Sequence, residues 1–266
     1  MDGVVQAPCV LTVQVDRVFQ RLALIIVALC ASCEVTASVF ERDDRWSNIT
    51  ANWPVGVVGD EWFGYGSGFL IDRCNVLTAR HVVGSGVVIG KRKRFRLQPW
   101  VSMRGDNSSR GTVIAAGTEV VGQSEDWAMI RLDKCLGERF GFFLITGGGF
   151  YTQGVSPRLK PALIAMGFPH DRGRHSLTVD PQCEAKLRTD RGLLHDCATM
   201  PGASGGPLLA WSGELGRYEA IGIIVAGFKT NRPTDFVLDR ANVAVDLTIP
   251  REAIFRRLPP RMATSR

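Results

Sequence analysis

No apolar run in this 266-residue chain reaches the roughly 18 residues of a membrane span, which excludes a polytopic membrane protein. Long amphipathic helical patterns are almost absent as well. Histidine is scarce, with four in all, and no short-spaced His or Cys pair forms a metal-ligand motif. Aromatic residues do not interleave with the basic ones. Within Lys91, Arg92, Lys93, Arg94 and Arg96 only Phe95 intervenes, so that run reads as a solvated loop and not as a nucleic-acid surface. Most of the formal net charge of +6 comes from the end of the chain, where Arg251, Arg256, Arg257, Arg261 and Arg266 face Glu252 alone. The body is nearly balanced.

What the sequence does have is glycine, 29 residues, and proline, 13, on a 45% hydrophobic background. That is the composition of a globular protein built from short strands and turns. The first residues differ from the rest. Arg17 and Arg21 precede an apolar or small stretch from Leu22 to Cys33, followed by Glu34 and by Val35-Thr36-Ala37. A positive start, a short apolar centre and small residues at the cleavage positions predict a secretory signal over residues 1–37, cut after Ala37. The mature chain then has no stable membrane anchor and lies outside the cytoplasm, secreted or periplasmic. Cleavage reduces seven cysteines to four, Cys74, Cys135, Cys183 and Cys197, and an even number in an oxidising compartment predicts disulfides. Cys183 and Cys197 flank a strand, a turn at Asp190-Arg191-Gly192 and a second strand, so they pair with each other. Cys74 pairs with Cys135.

Period-two or short apolar runs broken by glycine predict strands at 66–71, 76–79, 87–89, 112–116 and 127–132, and a second series at 162–166, 175–179, 183–187, 207–210, 220–225 and 242–247. The Gly147-Gly148-Gly149 stretch separates the two. Residues 38–150 therefore form an N-terminal segment and a first barrel, and residues 151–266 a second barrel with a basic tail. Only Pro250 to Leu258, with Ile254, Phe255 and Leu258 on one face, reads as a helix. The fold class is all-β, two packed antiparallel six-stranded barrels with a short C-terminal helix. Gly64, Gly66 and Gly68 do not form a phosphate loop, because Phe69-Leu70-Ile71 continues as a strand where a helix would have to start.

Three segments carry chemistry. Thr78-Ala79-Arg80-His81 ends a strand at a histidine, Asp126-Trp127-Ala128-Met129 opens a strand with an aspartate, and Pro201-Gly202-Ala203-Ser204-Gly205-Gly206-Pro207 places a serine in a glycine-rich turn. A hydroxyl is a poor nucleophile at neutral pH and needs a base, the part His81 can play. The imidazole in turn needs a carboxylate to hold its tautomer and stabilise its cation, and Asp126 fits. The amides of Gly202 and Ser204 can converge on a developing oxyanion.

These segments, in the order His, Asp, Ser, resemble the chymotrypsin-like (trypsin-fold) serine peptidases over residues 60 to 250. The wording from His195 through Leu209 is similar to the secreted bacterial branch that includes the glutamyl endopeptidases. The resemblance implies a triad of His81 as base and acid, Asp126 as its orienter and Ser204 as nucleophile, with Gly202 and Ser204 as the oxyanion hole. It also implies a primary pocket lined by Ala198, Thr199, Ile224, Val225, Ala226 and Gly227, with Asn242 nearby. No charge sits at the base of that pocket, which disfavours Lys or Arg before the scissile bond. Thr199 matches the glutamate-specific branch, while Ile224 replaces the histidine that branch uses. Ala203 stands where the animal enzymes carry an aspartate that receives a new N-terminus, so activity should not depend on inserting one. The expected function is a secreted serine endopeptidase acting on peptide or protein substrates through an acyl-enzyme. It needs no cofactor and no metal, binds no nucleic acid and acts as a monomer. A catalytically inactive binding protein and an esterase with the same triad are the alternatives.

Overall fold

The computed structural model describes Phe40 and residues 43–47, 52–61, 63–97, 106–118, 123–145, 162–173, 176–227 and 235–258. The expected leader, the boundary near residue 150 and His175 lie outside these residues. Six strands, β1 (Val55–Gly59), β2 (Gly64–Leu70), β3 (Asn75–Thr78), β4 (Arg92–Leu97), β5 (Ser108–Ala116) and β6 (Ala128–Leu132), close into an antiparallel barrel in the order β1-β2-β3-β6-β5-β4. Pairing of Gly56 with Leu97 and of Val58 with Phe95 completes the ring. Closure removes the free edges that short strands would otherwise expose.

The second sheet has eight strands: β7 (Leu144–Ile145), β8 (Leu163–Gly167), β9 (Thr178–Cys183), β10 (Ala185–Thr189), β11 (Gly192–His195), β12 (Pro207–Ser212), β13 (Arg217–Ala226) and β14 (Asn242–Asp246). Seven run in the order β10-β11-β14-β13-β12-β8-β9, and β7 joins β13 in parallel. The all-β double-barrel architecture holds, with the second unit a half-barrel instead of a closed six-stranded ring. Its two edge strands, β9 and β10, follow one another in the chain. The Cys183–Cys197 disulfide joins the end of β9 to the segment after β11, and Cys74–Cys135 joins the turn before β3 to the one after β6.

One apolar cluster runs through both units. Phe69, Leu70, Leu77 and Met129 of the first barrel share it with Met166, Phe168, Leu209 and Val245 of the second. A second cluster, with Leu163, Leu193, Leu208, Ile221 and Ile224, fills the half-barrel. The helices are single turns, α1 (Arg80–Val83), α2 (Gly137–Phe140) and α3 (Arg251–Phe255). Ile254 of α3 is fully buried in the shared cluster, as the pattern of its face predicts.

Two sequence expectations fail. Residues 87–89 form no strand: Val87 is 83% exposed and Ile89 53% exposed, and only Val88 between them is buried. The basic run is not a loop but β4. Its alternate positions Lys93, Phe95 and Leu97 are buried, and the charges are paired: Arg92 with Asp133, Lys93 with Asp60 at 2.7 Å, and Arg94 with Glu61 at 2.9 Å. Local charge density suggested solvent, but acidic partners distant in sequence made a strand possible.

Candidate active site

β3 delivers the histidine. Ala79 is extended, and the chain then turns once through α1, which brings the His81 ring to the barrel edge. Arg80 holds this turn by donating to the carbonyls of Gly84, Gly86 and Gly117 at 3.2, 2.5 and 3.2 Å. Asp126 lies just before β6, the direct partner of β3, so the barrel register itself sets the two residues side by side. Its Oδ2 is 2.8 Å from His81 Nδ1, and its Oδ1 accepts the His81 main-chain N–H at 3.0 Å. The aspartate side chain is 1% exposed and the imidazole 14%. His81 Nε2 is buried and makes no hydrogen bond among the described residues. With Nδ1 donating to the carboxylate, Nε2 is the basic nitrogen.

The serine turn is seated on the same structure. Ser67 of β2 is the hub: its Oγ donates to Gly202 O at 2.8 Å and accepts from Phe168 N at 2.9 Å, and its N–H donates to Ser204 O at 2.7 Å. Its own carbonyl accepts from Thr78 Oγ1 at 2.6 Å, three residues before His81. Gly66, one residue earlier, packs so tightly that a Cβ there would meet Val82 Cγ2 at 2.5 Å and Ser204 O at 2.7 Å. One strand thus carries both the histidine turn and the serine turn. Ser204 is buried, 6% exposed.

Gly202 and Gly205 have φ of 99° and 88°, which glycine adopts without the penalty of a Cβ. Pro201 O accepts from His170 N at 2.8 Å, Ala203 N donates to Met200 O at 2.9 Å, and Gly205 N to Ile224 O at 2.7 Å. The amides of Gly202 and Ser204 donate to no acceptor among the described residues. The serine turn thus holds two amide donors with no acceptor among the described residues.

A family model described as a trypsin-like peptidase domain matches residues 66–216, more than half of the chain. The chain belongs to the trypsin-like peptidase domain family. This trypsin-like domain is also similar in fold to a solved structure of Glu endopeptidase in complex with MPD, with a TM-score of 0.60 at 17% identity, covering 82% of this chain and 98% of that one. No curated protein matches the sequence. The family makes the chain a peptidase-type hydrolase by descent.

Around the expected pocket of this trypsin-like domain, Ala198 and Thr199 are 8% and 3% exposed, and the Thr199 hydroxyl is buried without a partner. Ile224 packs in the half-barrel cluster and Val225 in the shared one, so their side chains belong to the core while their backbone supports the turn. Gly227 is buried and Ala226 ends β13. Asn242 Nδ2 donates to Cys197 O at 2.7 Å, which pins the segment before Ala198. Sequence reasoning missed Asp180. Its carboxylate is buried behind the pocket segment, accepting from Ala198 N at 2.6 Å and Gln182 N at 3.3 Å, and burial raises its pKa despite those bonds. Ser67 was missed as well. The one available sign was a polar residue inside an otherwise small and apolar strand, Gly64 to Leu70. Among the described residues no group of three His, Cys, Asp or Glu side chains is placed to hold a metal ion.

Proposed function

We propose that the protein is a serine endopeptidase with His81, Asp126 and Ser204 as its triad. The observation that carries this reading is the Asp126 carboxylate held at 2.8 Å from His81 Nδ1. That contact leaves Nε2, which is buried, as the basic nitrogen of the ring. The Ser204 hydroxyl attacks the scissile carbonyl as Nε2 takes its proton, and the imidazolium then protonates the leaving amine. Asp126 orients the ring and stabilises the cation through its contact with Nδ1. The carbonyl oxygen becomes negative and is received by the Gly202 and Ser204 amides, whose value is greatest in a water-poor site where they need no reorganisation. Water repeats the sequence on the acyl-enzyme. That Nε2 lacks a bond to the hydroxyl before substrate binds is compatible with this scheme, since such contacts tighten in the complex.

The substrate is a peptide or protein chain. Ile224 packs inside the half-barrel and offers no cation to an acidic side chain, so we assign the pocket a small or medium uncharged residue and not glutamate. Two disulfides and the predicted leader favour an exported, secreted or periplasmic enzyme.

The experiment is digestion of casein and of a peptide library, with labelling by a peptidyl phosphonate. The expected result is cleavage and a label on Ser204, both lost in Ser204→Ala, with a turnover loss on the order of a million-fold. Labelling with ester but no peptide turnover would make the protein an esterase. No labelling would make it a non-catalytic binding protein.

A further inference from the structure

Residues 43–47, which precede β1 in the chain, contact the support of the serine turn. Arg45 has a side chain only 2% exposed. Its guanidinium donates to Asp171 through Nη2 at 2.6 Å and Nη1 at 3.3 Å, and to Asp43 through Nε and Nη2, both at 2.8 Å. Arg172 returns to Asp43 at 2.7 Å, so two cations and two carboxylates close a neutral network. Burial works against the Arg45 charge, but the hydrogen bonds to Asp43 and Asp171 more than offset it and raise its pKa. Trp46 fixes the other side of this segment by a two-way backbone bridge to Val179, at 2.8 and 3.0 Å. A buried guanidinium forked between two carboxylates is costly to assemble and rigid once made.

What Arg45 grips is a one-turn 3-10 helix, His170–Arg172. The first amide of that turn, His170 N–H, donates to Pro201 O at 2.8 Å. In a trans peptide the carbonyl and the following N–H point in opposite directions. Holding Pro201 O on one side therefore aims the Gly202 N–H to the other. Glycine lets this peptide rotate at little intrinsic cost, and a rotated peptide would present a carbonyl oxygen where an oxyanion must be received. Something outside the turn has to hold it. The His170 ring also lies against Gly202, where a Cβ would meet its Cδ2 at 2.5 Å.

We infer that Arg45 is a positioning residue for the oxyanion donor at Gly202, acting through Asp171 and the 170–172 turn. The inference rests on the serine-peptidase reading above. It predicts an effect on the transition state with little effect on substrate binding.

The test uses the full chain and the variants Arg45→Met, Arg45→Lys, Asp171→Asn and the double variant Arg45→Met with Asp171→Asn. Peptide hydrolysis is measured per active site titrated with phosphonate, alongside inhibition by a peptide aldehyde and thermal unfolding. Arg45→Met should lower kcat by roughly 10- to 100-fold, a part of the 10²- to 10³-fold that loss of one oxyanion donor costs. KM should stay within about threefold, and aldehyde affinity should fall in the same ratio as kcat. Arg45→Lys keeps the charge without the fork and should recover part of the loss. The double variant should be no worse than Arg45→Met, because both residues act on one path. Asp171, at the exposed side of the network, keeps the test open if Arg45→Met does not fold. An active wild type with kcat kept in Arg45→Met or Asp171→Asn, a rise in KM alone, or additive losses in the double variant would overturn the inference. A wild type that neither cleaves nor labels would sink the peptidase reading instead.

Discussion

Asp126 grips His81 through both of its oxygens, Oδ1 on the main-chain N–H and Oδ2 on the ring nitrogen Nδ1. One carboxylate therefore fixes the position of the turn, the orientation of the ring and the tautomer together. Asp126→Asn separates these roles. The amide can preserve the shape, but its NH₂ facing Nδ1 would move the ring proton to Nε2, where it blocks transfer from serine. We expect kcat to fall on the order of 10⁴-fold, the size of effect that the wrong tautomer has in serine peptidases, with thermal stability little changed. Asp126→Ala should lose both activity and stability, since it also leaves the His81 amide unpaired. Equal stability losses in the two variants would contradict this division.

Ser67→Ala should act in the opposite proportion. The hydroxyl is fully buried and serves as donor to Gly202 O and acceptor for Phe168 N, so its removal strands two backbone groups. Leaving such groups unsatisfied costs about 1–3 kcal/mol each at most, and a loss of about 2 kcal/mol from urea unfolding is the expected result. Activity should drop with it, because the carbonyl it holds belongs to the serine turn. Ser67→Ala with wild-type stability would show that the hub is dispensable.

The His81–Asp126 contact was legible because each residue stands at the end of a strand pattern as a type with chemistry to offer, while the serine turn stood out by its glycines. Most strands were legible for the same reason, their period-two runs ending in glycine or charge. β1 was missed because Val55-Gly56-Val57-Val58-Gly59 is short and fully buried, with no polar alternation to mark it. β4 was misread because Asp60, Glu61 and Asp133 neutralise its charges from distant parts of the chain. The Arg45–Asp171 pair lies 126 residues apart, a relationship that no local pattern encodes. Local periodicity is visible in sequence, while pairing across the fold is not.

Gly205 offers a test of how closely the serine turn is packed. A Cβ there would collide with Ser67 O and Thr78 Oγ1, on a backbone φ of 88°. Gly216 has φ of 60° and nothing within 4 Å of its would-be Cβ. Gly216→Ala should cost only the backbone term, about 1–2 kcal/mol. Gly205→Ala pays that term and the collision, and should abolish phosphonate labelling or folding altogether. Comparable unfolding midpoints for the two would refute the packing argument.

The two disulfides should differ in worth. Cys74–Cys135 closes a loop with a sequence separation of 61, against 14 for Cys183–Cys197. On chain entropy alone the longer loop is worth about 4 kcal/mol and the shorter about 3 kcal/mol. Urea unfolding of the paired Cys→Ser variants should show the larger loss for Cys74 and Cys135. A larger loss for the shorter loop would mean that the half-barrel, where that bond ties the end of β9 to the segment after β11, depends on it for more than entropy.

His195 should give stability a slope on the acid side. It is fully buried in β11, neither ring nitrogen has a hydrogen-bond partner of normal geometry, and burial lowers its pKa to about 4 against an ordinary 6.5. The nearby Asp196 carboxylate and the Val243 backbone pull the other way without cancelling that. Between those two pH values the unfolded chain binds a proton that the folded protein refuses. Stability from this group is therefore complete above about pH 6.5 and is lost as pH falls toward 4, by ~3 kcal/mol over the whole range and about 2 kcal/mol between pH 7 and 5. Among the described carboxylates, Asp43 and Asp60 are shifted down and lose their contribution only below this window, whereas Asp180 is shifted up and favours the folded state in acid. None of these supplies a loss between pH 7 and 5. Urea midpoints should therefore fall across that interval in the wild type and stay level in His195→Leu, and a slope that survives the substitution would mean that a different group titrates.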